Sequence, residues 1–226
     1  MLKIFYRYLL YGMTVTAGTV ILMVLAVRIP DGLLFEEPVK GMGLPTSEFS
    51  PVELLQNLLL LYCAGSFCWI AARDRLRRPM AVGFVALFLG CLIRELDFFL
   101  DYYLVDNLWQ VLCALLVSVA LVYIVRNRNR FAHGWRRSWP SAGLAMIISG
   151  YILLIPFAQL VGHEAFWQEL MQESYVRVVK VASEELIELG AYTMITLGAV
   201  EFLYAWSRLP RTRNLDARPR RRGRRR

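Results

Sequence analysis

Apolar and polar positions along the chain separate into six long apolar runs divided by short polar stretches. The runs cover approximately 9–27, 51–72, 79–104, 108–125, 141–161 and 177–206. A helix needs about 20 predominantly apolar residues to cross hydrocarbon. The pattern therefore predicts an all-α membrane protein, a bundle of six transmembrane helices. Residues 1–206 form the six-helix transmembrane domain, and 207–226 form a basic tail expected to be disordered.

Local signals sharpen the boundaries. The first run follows Lys3 and Arg7 and spans about 19 residues, longer than the apolar region of a usual signal peptide, which favours an uncleaved helix. The second opens on Ser50-Pro51-Val52-Glu53. Serine at the cap, proline at the first helical position and glutamate at the third form a capping box. It ends in the basic turn Arg73-Asp74-Arg75-Leu76-Arg77-Arg78. A tight turn at Asp106-Asn107 joins the third and fourth runs, and 126–139 reads as a basic loop. Pro156 predicts a kink in the fifth helix. Phe166, Trp167, Leu170 and Met171, within the polar segment 162–176, predict a short helix lying on the interface.

Charge fixes the orientation. Of 26 Lys and Arg residues, 21 lie on the side of the N-terminus, the two Arg-rich connections and the tail. Only Arg28, Lys40, Arg177 and Lys180 fall on the other side, and Arg94 falls within a run. Lysine and arginine accumulate in cytoplasmic loops. Both termini are therefore expected in the cytoplasm of a bacterial-type inner (plasma) membrane, with 28–50 and 162–176 outside.

Composition agrees: the 226 residues are 57% apolar, with a mean hydropathy of +0.44. The net charge of +8 sits mainly in loops and tail, so no nucleic-acid partner is expected. Membrane lipids are the expected surroundings, with anionic head groups at the arginine tail. Trp69, Trp109, Trp135, Trp139, Trp167 and Trp206 lie near run ends, as in an interfacial belt. The four cysteines all lie inside apolar runs and form no C-x-x-C pair, which argues against a disulfide framework or thiolate metal site. His133 and His163 fall on opposite sides, which excludes a transmembrane haem held by two histidines. No H-E-x-x-H, G-x-S-x-G or P-loop pattern occurs.

The candidate chemistry centres on Arg94-Glu95-Leu96-Asp97-Phe98-Phe99-Leu100-Asp101, which places one cation and three carboxylates in the third run. Charge inside hydrocarbon costs several kcal/mol unless paired, hydrated or bound, so it marks a functional site by default. At 1.5 Å per residue, Arg94 lies about 22 Å from the cytoplasmic start, in the outer leaflet. Glu184, Glu185 and Glu188 reach a similar level from the outside, as do Glu53, Gln56 and Asn57. Helical spacing groups Arg94 with Asp97 and Asp101, and Glu184 with Glu188, while Glu185 points about 100° away from Glu184. Glu53 reads as a cap, Glu201 as a separate acid near the cytoplasmic end, and His133 as solvated.

These residues predict an outward-facing pocket of Arg94, Glu95, Asp97, Asp101, Glu184, Glu185, Glu188 and Gln56. Acids outnumber cations, so the pocket is expected to bind or move a cation, protons or a cationic head group. A divalent cation is the candidate cofactor, with Glu184, Glu188, Asp97 and His163 as its ligands. One alternative is an enzyme acting on a lipid or lipid-linked substrate at the external leaflet. The other is an accessory subunit whose polar faces pair with a membrane-protein partner. Gly83, Gly90, Gly190 and Gly198 are candidates for close helix contacts.

Overall fold

The computed structural model describes residues 2–28, 50–139 and 141–208. Residues 29–49 and the tail from 209 onward lie outside the described residues, and so do the expectations attached to them. The described residues are helical or turn, without a strand among them. The chain order is α1 (Leu2–Arg28), α2 (Pro51–Arg73), α3 (Arg78–Glu95), α4 (Asp97–Tyr103), α5 (Leu108–Arg126), α6 (Arg128–Ser138), α7 (Ala142–Ile152), α8 (Gln159–Gly162), α9 (Glu164–Met171) and α10 (Arg177–Ser207). Among the described residues, five segments are long and apolar enough to cross a membrane: Phe5–Arg28, Pro51–Arg73, Leu108–Arg126, Ala142–Gly162 and Arg177–Ser207.

The sixth expected helix differs from the pattern. The run 79–104 is not continuous: α3 stops at Glu95, Leu96 sits at φ −104°, ψ 16°, and α4 begins at Asp97. Leu96 N–H still reaches Leu92 O at 3.2 Å, and Leu100 N–H reaches Leu96 O at 3.0 Å. The break falls inside the charged stretch, where two adjacent side chains, Arg94 and Glu95, both reach one neighbouring helix. The break falls between Arg94 on α3 and Asp97 and Asp101 on α4.

Two further segments depart from expectation. Residues 126–139 are not a loop, because Arg128–Ser138 is the helix α6. Phe131, Gly134, Trp135 and Ser138 recur at helical spacing and turn inward, while Arg130, Arg136 and Arg137 stay exposed. A Cβ on Gly134 would stand 2.9 Å from the Leu76 carbonyl oxygen, so α6 lies directly on the first basic turn. Around Pro156 the fifth helix widens into a π-helical turn over Leu153–Ala158. Proline lacks the N–H of the regular ladder, and a wider turn accommodates the loss. The helix expected around Phe166 and Trp167 is α9, and its Trp167 Nε1 donates to Val161 O.

The bundle core joins α2, α3, α7 and α10. Phe67 of α2 is fully buried against Phe84 (ring centroids 5.0 Å apart), Phe88 (5.4 Å) and Phe202 (5.4 Å). Helices α7 and α10 approach most closely through glycine. A Cβ on Gly198 would stand 2.7 Å from Gly143 O, and one on Gly143 would stand 2.7 Å from Gly198 O. Without side chains the backbones meet, which is how membrane helices gain dispersion contact. Of the other candidate glycines, Gly83 lies against Ile124, whereas Gly90 and Gly190 face open space. Helix α1 presents its apolar side chains outward and touches the bundle through Arg7, whose guanidinium bonds Glu201 Oε1 at 2.6 Å.

Candidate functional site

The site is assembled from the ends of α2, α3 and α10 that lie away from the basic turns. The capping box forms as the sequence requires: Glu53 N–H donates to Ser50 Oγ and Ser50 N–H donates to Glu53 Oε2, each at 3.1 Å. Glu53 is thus a cap, and it fixes where α2 begins. One turn on, Gln56 is fully buried. Its Nε2 donates to Glu185 Oε2 at 2.9 Å and to the Glu185 carbonyl at 3.1 Å.

On α3, one guanidinium serves two carboxylates. Arg94 Nη2 donates to Glu188 Oε1, and also to Glu95 Oε1 at 3.0 Å. Glu95 Oε1 further accepts from Tyr192 OH at 2.6 Å. The side chains of Glu95 and Glu188 are 7% and 4% exposed, against 37% for Arg94. The cation therefore sits at the mouth and the acids lie beneath it. Glu185, Glu188 and Tyr192 recur on α10 at i, i+3 and i+7, which places them along one face.

The cluster differs from the set that spacing suggested. Glu184 does not join Glu188; its Oε2 pairs with Lys180 Nζ at 2.8 Å, one turn away on α10. Gly162, closing α8, packs so tightly on the Glu184 carboxylate that a Cβ there would overlap it. Glu185 takes the place beside Glu188 instead. Asp97 and Asp101 follow the break in α3, and Asp101 Oδ1 is buried without a hydrogen-bond partner. His163 is exposed at the start of α9 and its side chain does not cap the helix. Among the described residues no group of three or more His, Cys, Asp or Glu is disposed to hold a metal ion. Tyr192 was missed by sequence reasoning, although its spacing of four from Glu188 was the available signal.

Charge does not balance in this cluster. Glu95, Glu185 and Glu188 face one guanidinium, and Glu185 has the neutral Gln56 for its partner. The Gln56 Oε1 atom is buried and accepts no hydrogen bond. Towards the basic end the cluster is closed: Cys63 Sγ contacts Thr196 Oγ1 at 3.4 Å, and beyond it lies the phenylalanine core.

The fold and the cluster describe an all-helical, multi-pass membrane protein carrying buried carboxylates within its helices. The chain matches no protein-family model, no curated protein and no solved structure.

Proposed function

We propose that the outer ends of α2, α3 and α10 form a reversible cation-binding site reached from the external face, with the proton as its favoured occupant. The observation that carries this reading is the ratio of three glutamates, two with buried side chains and Glu185 partly buried, to one guanidinium. Carboxylates held in low dielectric beyond the number of their counter-cations need a proton or a bound cation. The Glu185–Gln56 pair suits a proton. Gln56 donates to Glu185 through Nε2 when the carboxylate is charged. After the amide turns over, its now unpartnered Oε1 would accept from the carboxylic acid, so a hydrogen bond exists in both states.

The same reading counts α3 as a sixth span. Its 18 residues reach about 27 Å, close to the thickness of hydrocarbon. The charges Arg94 and Glu95 at its end are met by Glu188 and Tyr192. Termini on the basic side and a bacterial-type inner membrane follow from the distribution of Lys and Arg. The phenylalanine core beneath the cluster argues for a one-sided binding site over a conducting path.

The test is an infrared pH titration of the purified protein. A protonated carboxyl stretching band should appear and vanish reversibly, and Glu185→Gln should remove most of it. An unchanged band in Glu185→Gln, or no such band at any pH at which the protein stays folded, overturns the reading. Titration of Na⁺, K⁺ and Mg²⁺ with the thermal midpoint as readout tests a metal cation in place of the proton, because native-state ligands raise stability by mass action.

A further inference from the structure

Away from the carboxylate cluster, α5 packs on α3 but does not close on α7. Between them runs a cavity of about 650 Å³, with α6 across its basic end. Its walls are apolar and include Leu87, Val117, Leu121, Ile124, Trp135 and Ile152. Leu87, Val117, Leu121 and Ile152 are each about half exposed, so the groove opens sideways into the region that surrounds the bundle. Gly83 adds depth, because a Cβ there would press on Ile124 Cδ1 at 3.2 Å. The α5 wall runs from Val117 to Ile124, about 10 Å along the helix.

The groove ends at a concentration of unpaired positive charge. Immediately past Ile124, residues 125–130 line a second, smaller depression of about 270 Å³ containing Arg126, Arg128 and Arg130. All three are exposed, and none makes an ion pair among the described residues. No carboxylate occurs anywhere from Asn107 to His163. The neighbouring α6 adds only Arg136 and Arg137 to the ionised groups, and α7 carries no charge. The first basic turn is different: there Asp74 already neutralises Arg77.

The geometry points to a built site for one anionic glycerophospholipid, with an acyl chain in the α3–α5–α7 groove and its phosphate on Arg126, Arg128 and Arg130. The apolar walls match a hydrocarbon chain, and the sideways opening admits it from the bilayer. Arginine presents several donors to phosphate oxygens in a fixed fork. Chain and phosphate are joined in one molecule, as groove and arginine turn are joined at Ile124–Val125. The site is independent of the carboxylate cluster and uses none of its residues.

Photo-cross-linking of the full chain in neutral detergent tests this. The probes are phosphatidylglycerol and phosphatidylcholine with identical chains, each carrying a diazirine near the chain end. Phosphatidylglycerol should label the peptides containing 83–87 or 117–124, about fivefold or more over phosphatidylcholine, the ratio for one effective basic contact near a membrane surface. Arg126→Gln/Arg128→Gln/Arg130→Gln should abolish the preference and leave the labelled position unchanged. Val117→Trp/Leu121→Trp alters exposed positions, so folding is preserved, and it should remove the groove label. Equal labelling by both lipids overturns the proposal. So does label confined to α1 and other lipid-facing surfaces. A preference that survives the triple arginine substitution would belong to the C-terminal tail and overturns it too.

Discussion

The two ends of the bundle treat buried charge in opposite ways. At the basic end each described acid has one cation and an added donor. Glu201 takes Arg7 at 2.6 Å and Tyr11 OH at 3.2 Å. Asp74 takes Arg77 at 2.6 Å and Trp206 Nε1 at 3.1 Å, while Arg77 Nε donates to Ser138. These pairs join α1 to α10 and tie the first basic turn to α6 and α10. At the opposite end Glu95 and Glu188 share Arg94, and Glu185 beside them leans on a neutral amide. Both ends contain charge buried in an apolar bundle, yet among the described clusters the one at Arg94 has more carboxylates than the guanidinium they gather around can neutralise. Intramembrane charge alone therefore does not mark a site here; an unequal ratio does.

The largest effect that can break this contrast is Arg94→Gln. It leaves Glu95 and Glu188 buried without a cation and should cost about 3 kcal/mol, the low end for breaking a buried pair because the guanidinium is partly exposed. The thermal midpoint in detergent reads it. Glu185→Gln, by contrast, should be neutral or slightly stabilising, because it removes surplus acid. If the two substitutions cost the same, the Arg94 cluster is an ordinary set of ion pairs.

Next in size is Arg7→Gln, which strands Glu201 and should cost about 2 kcal/mol. Adding Glu201→Gln should restore most of the loss, since both partners then become neutral. The corresponding outer double, Arg94→Gln/Glu188→Gln, should restore much less, because Glu95 remains buried without a cation. Equal rescue at both ends would erase the distinction.

A smaller effect concerns Asp74, at the turn after α2. Burial pushes its carboxyl up, but hydrogen bonds from Arg77 and Trp206 and the Arg77 charge outweigh it and hold the carboxyl below the usual range. A folded value below the unfolded one stabilises the fold above the unfolded value, about pH 4. That contribution is lost as pH falls through the folded value. Asp74→Asn should therefore cost about 1 kcal/mol at neutral pH and flatten the acid limb of the stability curve. The smallest expected change is Lys180→Gln, about 0.5 kcal/mol, since its pair with Glu184 is a local i, i+4 contact at the rim.

Much of the architecture was legible because its signals are local. Ser50 and Glu53 announce the start of α2 through atoms three residues apart. Apolar run length announces the long helices. The level of the site was legible from the positions of Arg94, Gln56 and Glu188 along their helices. The partners were not. Helical spacing put Glu184 with Glu188, but rotation of α10 against α3 turns Glu185, Glu188 and Tyr192 inward and leaves Glu184 to Lys180. The break at Leu96 was hidden because nothing near it is glycine or proline. The helix α6 was hidden because its arginines read as a loop until Phe131, Gly134 and Trp135 found a surface to pack on.

By itself the sequence determined the all-helical class, the long apolar helices, the asymmetry of basic charge and the presence of acid among them. These follow from transfer free energy and backbone hydrogen bonding, which act on runs of residues whatever their neighbours are. Only the tertiary structure decided which acid meets Arg94, which amide meets Glu185, where Gly143 and Gly198 let two backbones touch, and where α5 and α7 stay apart. Those depend on helix rotation and distance to within a few ångströms, quantities set by the packing of the whole bundle.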